Sequence, residues 1–274
     1  EVIGVATFFV GAGQNLNFAI PGERIARLAG GREETLSERD ERRIKDWFAS
    51  AEGLYSAGLH LLWTEEYAKA LPYFVETVRK NPGYGPGYFQ IGYCLAKLGQ
   101  YLEAIESYKR ALRIIPEEAG VYSNLCTAYG RAGRLDEAIE SCKTAIRLKP
   151  DFAEAFSNLG WSYQKAGRPQ EAVEACKQAI RLKPDFSSAH HNLGNSYAAL
   201  KKYAEAIDSY KEAIRIQFDY AESHSDLGAA YFHTGRIEEA IVSYNQALRL
   251  KPALAEARLN LGMAYLRLGD KGSA

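Results

Sequence analysis

Between Ala51 and Ala274 the apolar and polar residues of the chain recur with a period of 34. Residues 119–152, AGVYSNLCTAYGRAGRLDEAIESCKTAIRLKPDF, are restated by residues 153–186, AEAFSNLGWSYQKAGRPQEAVEACKQAIRLKPDF. Counting slots from 1 within each copy, the copies begin at Ala51, Gly85, Ala119, Ala153, Ser187, Ala221 and Ala255, and the last breaks off at slot 20. Apolar residues at slots 4, 7 and 11 lie at helical spacing, which predicts a first helix with one buried face. Glycine at slot 15 (Gly99, Gly133, Gly167, Gly235, Gly269) suits a left-handed residue that ends a helix. Proline at slot 32 (Pro82, Pro116, Pro150, Pro184, Pro252) stops a second helix. Slot 8 is glycine in six copies and Cys126 in the third, slot 20 is always alanine, and slot 27 is alanine in all but the first complete copy. Such small residues let two helix backbones approach closely. Slot 24 then fills the space between helix pairs with an aromatic ring (Phe74, Tyr108, Tyr210, Tyr244) or a cysteine (Cys142, Cys176). A fixed period in this range predicts a solenoid of helix–turn–helix units.

These slots together resemble the tetratricopeptide repeat over 51–274. The resemblance implies an all-α fold, a right-handed superhelical solenoid of about seven repeats. It also implies a concave groove lined by slots 2, 5, 6, 9, 12 and 13 of the first helices, which takes a protein or an extended peptide. Slot 6 is Ser56, Gln90, Asn124, Asn158, Asn192, Asp226 and Asn260. A side-chain amide both donates and accepts, so a row of them can pair with a peptide backbone whatever its sequence; the other reading is a solvated feature of the repeat consensus. A similar asparagine ladder lines the repeats of O-linked N-acetylglucosamine transferase, which leaves a glycosyltransferase repeat region as the alternative function. Tyr55, Phe89, Leu59, Tyr93, Trp161 and Phe232 are expected to make part of the groove aromatic, and His191, Asn195 and His233 to make part of it polar. Slot 2 is never Lys or Arg, so the carboxylate clamp of chaperone-binding repeats is absent. Repeat one has Glu65 at slot 15, and repeat five has Lys201 at slot 15 and Phe218 at slot 32. Both changes in repeat five are expected to weaken helix stops and to alter the local pitch near 218.

Residues 1–50 do not follow the period. Val2–Val10 is a β-rich run, Gly11–Asn15 is turn chemistry and Leu16–Ile20 is a second strand, which predicts a β-hairpin. The Gly-Ala-Gly lacks the third glycine of a dinucleotide fingerprint. E-V-I-G-V-A-T, a loop and N-F-A-I-P resemble the closing strands of trypsin-like serine proteases of the HtrA kind, over residues 1–30. The resemblance implies that Thr7, Phe8 and Phe9 form the strand that pairs with substrate and walls its pocket, faced by Asn17 and Phe18. It also implies that the catalytic triad lies upstream, so the chain alone is expected to hydrolyse no peptide bond. Gly194-Asn195-Ser196 imitates a nucleophile loop but falls at slots 8–10, inside a helix where that strained turn cannot form. Gly30-Gly31 is the expected boundary, followed by a charged linker or capping helix over 31–50 with Ser37 as its N-cap, running into Trp47 and Phe48.

Lys plus Arg number 34 and Asp plus Glu number 34, and this zero balance argues against a nucleic-acid or anionic-membrane binder. No apolar run approaches the ~18 residues of a membrane-spanning helix. VIGVATFFVGAG lacks the basic flank of a signal peptide. The cysteines Cys94, Cys126, Cys142 and Cys176 form no C-x-x-C pair, so zinc is unsupported and buried thiols are expected; spacing leaves open whether Cys126 and Cys142 bridge. His190 and His224 share slot 4 and are expected in the core. No residue set suggests a cofactor, a metal or a complete catalytic site. The protease resemblance points to the cell envelope, whereas four free thiols would point to the cytoplasm. A first residue of Glu and a last at slot 20 suit a piece of a longer protein.

Overall fold

The computed structural model describes residues 5–10, 14–19, 46–47 and 49–272, with side chains for 46–47 and 49–269. Strands β1 (Val5–Val10) and β2 (Gln14–Ala19) pair antiparallel, with Val5 opposite Ala19 and Val10 opposite Gln14. The remaining readings for residues 1–45, including the capping helix, fall outside the described residues. Where the description resumes, the chain does not run unbroken into the first repeat. Ser50 Oγ donates to Trp47 O at 2.6 Å and accepts from Gly53 N–H at 3.0 Å, so a fresh helix starts at Ala51.

Two compact units follow from the contacts, Glu1–Pro116 and Glu117–Ala274. The first holds two helix pairs, α1 (Ala51–Trp63) with α2 (Tyr67–Lys80) and α3 (Gly85–Lys97) with α4 (Tyr101–Ile114). The second holds α5 (Ala119–Arg131) with α6 (Leu135–Leu148), α7 (Ala153–Lys165) with α8 (Pro169–Leu182), α9 (Ser187–Ala199) with α10 (Tyr203–Ile216), and α11 (Ala221–His233) with α12 (Ile237–Leu250). Helix α13 (Ala255–Gly272) closes the described chain. In every complete repeat the two helices occupy slots 1–13 and 17–30, and within each unit each second helix packs on the next first helix. This is an all-helical tetratricopeptide-like stack.

The turn between paired helices needs a positive φ. Gly99, Gly133, Gly167 and Gly235 supply it at 80°, 78°, 71° and 76°. Glu65 and Lys201 reach the same region at 56° and 60° without being glycine. The expected loss of a helix stop at Lys201 therefore does not occur: α9 ends at Ala199 and α10 at Ile216, at the same slots as in the other repeats. Gly269 ends nothing, because α13 continues through it to Gly272. A left-handed L-residue costs about 1–2 kcal/mol that glycine avoids. Lys201→Gly should consequently stabilise the chain by about 1 kcal/mol in urea unfolding, and a loss of stability would show that the Lys201 side chain makes an offsetting contact.

The slot 8 and slot 24 pairing is tight. A Cβ on Gly194 would sit 2.5 Å from the Tyr210 ring, and one on Gly228 2.8 Å from the Tyr244 ring. In the third repeat the same two slots are joined covalently, Cys126 to Cys142, with Cα atoms 5.3 Å apart. Of the four cysteines read as buried thiols, the pair whose bridging the spacing left open is bonded, because slots 8 and 24 face each other across a helix pair. The contrast of compartments drawn from four free thiols falls with them. Cys94 and Cys176 remain free and buried, and burial pushes their thiols up to about 11 and about 12.

Slot 4 follows the core reading at His224 and departs from it at His190. His190 Nε2 lies 2.9 Å from Pro184 O and His224 Nε2 2.9 Å from Phe218 O, while Arg258 donates to Pro252 O at 2.6 Å. Each side chain satisfies the carbonyl of slot 32 in the preceding turn. His224 is buried there, whereas His190 is only half-buried.

Candidate peptide-binding groove

The first helices of the second unit, with the residues just before them, line a groove of about 630 Å³. Slots 2, 5, 6, 9 and 13 contribute, as in Glu154, Ser157, Asn158, Trp161 and Lys165 of α7. Slot 12 does not: Phe232 packs among Tyr244, Leu261 and other core residues, with the Arg267 guanidinium 5.1 Å from its ring. His233, also expected in the groove, instead stacks on Tyr203 with ring centroids 4.8 Å apart. Slot 34 was missed and lines the groove with Phe152, Phe186, Tyr220 and Leu254. Its signal was legible, since Asp-Phe precedes both α7 and α9.

Of the expected ligand-facing residues, Asn124, Asn158, Asn192, Asp226 and Trp161 come together in this groove. Asn260 lies half-buried on α13 and is not among the lining residues. Gln90, Phe89 and Tyr93 belong to the first unit, where Gln90 Nε2 reaches Tyr55 Oη at 3.5 Å, Phe89 packs on Tyr108 and Tyr93 lies edge-on to Tyr67. Thr7, Phe8 and Phe9 lie in β1 opposite Asn17, Leu16 and Asn15, and their side chains are outside the described residues.

The slot 6 amides do more than face solvent. Asn158 Nδ2 donates to Ser123 Oγ at 3.1 Å, and Asn192 Nδ2 to Ser157 Oγ at 3.2 Å and Ser157 O at 3.3 Å. Slot 6 thus ties back to slot 5 of the preceding repeat, 35 residues earlier. Asn124 donates within its own helix, to Gly120 O at 2.9 Å. Asn124 and Asn158 each spend one N–H and keep the other together with Oδ1, whereas the Asn192 amide nitrogen serves two acceptors and keeps Oδ1 for the groove.

At the next rung serine is replaced by His191 and asparagine by Asp226. The Tyr210 hydroxyl donates to Asn195 Oδ1 at 2.7 Å, which turns Asn195 Nδ2 toward His191 Nε2 at 2.9 Å. His191 Nδ1 lies 2.9 Å from Ser223 Oγ, and its ring stacks on Tyr220 at 4.7 Å between centroids. Those partners assign the proton to Nδ1 and leave Nε2 as an acceptor. Asp226 Oδ2 faces that nitrogen at 3.3 Å. Burial pulls His191 down to about 4 and, with the like charges of Glu256 and Glu222, pushes Asp226 up to about 7. The described residues hold no group of three metal-binding side chains, and none of their helices is long and apolar enough to cross a membrane.

Models of the TPR repeat match residues 128–167, 194–235 and 230–269, and models of the tetratricopeptide repeat match 86–118, 153–186 and 175–208. The chain belongs to the tetratricopeptide-repeat family. A protein of this family is a protein–protein interaction scaffold. The chain is similar in fold to the crystal structure of the APC/C hetero-tetramer Cut9–Hcn1, at 22% identity and a TM-score of 0.73, with 83% of this chain and 46% of that one covered. It thus spans less than half the length of that neighbour. It is similar also to TTC0263, a thermophilic TPR protein of Thermus thermophilus, at 26% identity and a TM-score of 0.59 over 66% of this chain and 99% of that one. MamA matches at 28% identity and a TM-score of 0.51 over 63% and 94%. No curated protein matches the sequence.

Proposed function

We propose that the groove of the second unit holds an extended segment of a protein partner, running across the rungs of Asn124, Asn158 and Asn192. The observation that carries this reading is that these amides, two of which also tie repeats together, still offer the groove an acceptor at every repeat and, from Asn124 and Asn158, a donor as well. Phe152, Phe186 and Trp161 add apolar surface beside them. The backbone of an extended peptide presents the complementary groups, so recognition depends on conformation more than on sequence. Each such hydrogen bond contributes about 0.5–1.5 kcal/mol net.

The test uses a peptide selected from a random display library, titrated against two variants. Asn124→Ala/Asn158→Ala/Asn192→Ala should weaken binding by about 10 to 1,000-fold if the three bonds act independently. Because the amides also join repeats, Ser188→Trp serves beside it, filling the groove without touching a rung. Unchanged affinity in both variants, with helicity intact, would remove the reading.

The trypsin-like resemblance of residues 1–30 extends this proposal: the repeats would then hold substrates or partners for a protease domain. Its support is the sequence of that segment. A run of the form G-x-S-G-x-P encoded just ahead of Glu1 is the expected finding, and a different sequence there removes the extension.

A further inference from the structure

The rung formed by His191 and Asp226 has a hydrogen too few. Elsewhere in the groove, slot 6 brings the proton: Asn158 and Asn192 donate to the serine one repeat back. Here the chain from Tyr210 through Asn195 makes His191 Nε2 an acceptor, and Asp226 sets a carboxylate oxygen against it at 3.3 Å. The single Nε2 lone pair is already taken by the Asn195 amide, so His191 offers Asp226 no donor and the carboxylate keeps its lone pairs free for a proton or a cation. Asp226 is only partly buried, at 31% side-chain exposure, so a group in the groove can reach it.

Among the described residues no lysine or arginine forms an ion pair with Asp226. From its own helix Glu222 faces Asp226, and Glu256 faces it from α13; both are negative. The Tyr210 hydroxyl from α10 and the Tyr244 hydroxyl from α12 stay neutral, burial pushing both up. Lys165 of α7 is the cation that acts on Asp226, more weakly than either glutamate. Lys251 is held by Glu222 at 2.7 Å, Lys183 by Glu154 at 3.7 Å, and the Arg131 guanidinium lies 5.1 Å from the Trp161 ring. Glu256 makes no ion pair among the described residues.

Resting on the peptide-binding reading above, we propose that the groove is selective for segments carrying an arginine or lysine, whose charged head docks against Asp226 and Glu256. The incoming cation replaces the proton that neutralises Asp226, and that proton leaves to solvent. An ammonium or guanidinium brings several N–H donors, which a carboxylate accepts, so Asp226 gains the donor that His191 does not supply. Proton release gives the site a pH dependence of definite sign. Asp226 is held neutral below about 7 and ionised above it, so the affinity for a basic segment rises with pH. Titration through that value changes the ionised fraction, and with it the affinity, by about tenfold between about pH 6 and about pH 8.

Random nonapeptides displayed on phage and selected at about pH 8 against the whole chain provide the experiment, run in parallel on Asp226→Asn. This variant installs the residue that slot 6 carries in neighbouring repeats and removes a charge from beside Glu222 and Glu256, so it should fold at least as well as the parent. Selected peptides should concentrate Arg or Lys at one position with the parent and lose that enrichment with Asp226→Asn. A selected arginine peptide should bind the variant at least about 30-fold more weakly at about pH 8. It should bind the parent about tenfold more tightly at about pH 8 than at about pH 6, whereas its citrulline counterpart should show no such rise. Neutral or acidic peptides, or equal enrichment with the variant, would overturn this inference while leaving the groove a peptide site. Failure to select any peptide would overturn the peptide-binding reading and this inference with it.

Discussion

Tyr210→Ala should lower the unfolding free energy of the chain by about 3–5 kcal/mol, measured by denaturant unfolding of the second unit's helicity. Tyr210 is 2% exposed and its ring lies over Gly194, where even a Cβ would come within 2.5 Å. Truncation leaves a ring-sized void between α9 and α10, and glycine has no side chain with which to refill it. The loss should also reach the groove, because the Tyr210 hydroxyl orients Asn195 and through it His191. Tyr210→Phe separates the two effects. It keeps the ring and should cost only about 1 kcal/mol, yet it frees the Asn195 amide to turn and His191 Nε2 to carry a proton. A loss below about 1 kcal/mol for the alanine variant would show that the neighbouring helices close over the gap.

Reduction of the Cys126–Cys142 bridge should cost about 3 kcal/mol, the loop-closure value expected for a sequence separation of 16. The other repeats suggest a replacement. Where the third repeat has Cys126 and Cys142, the second, fifth and sixth have a glycine under a tyrosine ring, as in Gly92 with Tyr108. Cys126→Gly/Cys142→Tyr should therefore come within about 1 kcal/mol of the oxidised parent and be indifferent to dithiothreitol. Equal unfolding midpoints of the parent with and without reductant would show that the bridge does not constrain the unfolded chain.

Helix limits were legible from the sequence because they depend on local chemistry repeated at a fixed interval. Glycine at slot 15, proline near slot 32 and the apolar spacing place both helices of each complete repeat at slots 1–13 and 17–30. Lys201 misled because the turn's geometry is imposed by the packing on both sides, which holds φ at 60° even without glycine. The groove was only partly legible. Reading slots one repeat at a time found Asn124, Asn158, Asn192, Asp226 and Trp161, but it could not see that slot 6 meets slot 5 of the preceding copy. The consequence was largest at Asp226. By slot it is one more member of the row beside the amides, whereas its character comes from His191, 35 residues earlier. Phe152 and Phe186 were passed over because they precede the helices that line the groove.

The rungs have an implication for how such a chain can change over generations. Ser123 and Ser157 are interchangeable acceptors, and Asn158 and Asn192 interchangeable donors. A recombination event that removes or duplicates residues 153–186 leaves each serine of these rungs followed, 35 positions on, by an asparagine able to reach it. Reach along the groove can therefore be lengthened or shortened by copying, with no new interface to be found. The aspartate rung behaves differently. It exists once, needs His191 immediately before it in the stack, and marks a fixed address along an otherwise uniform track.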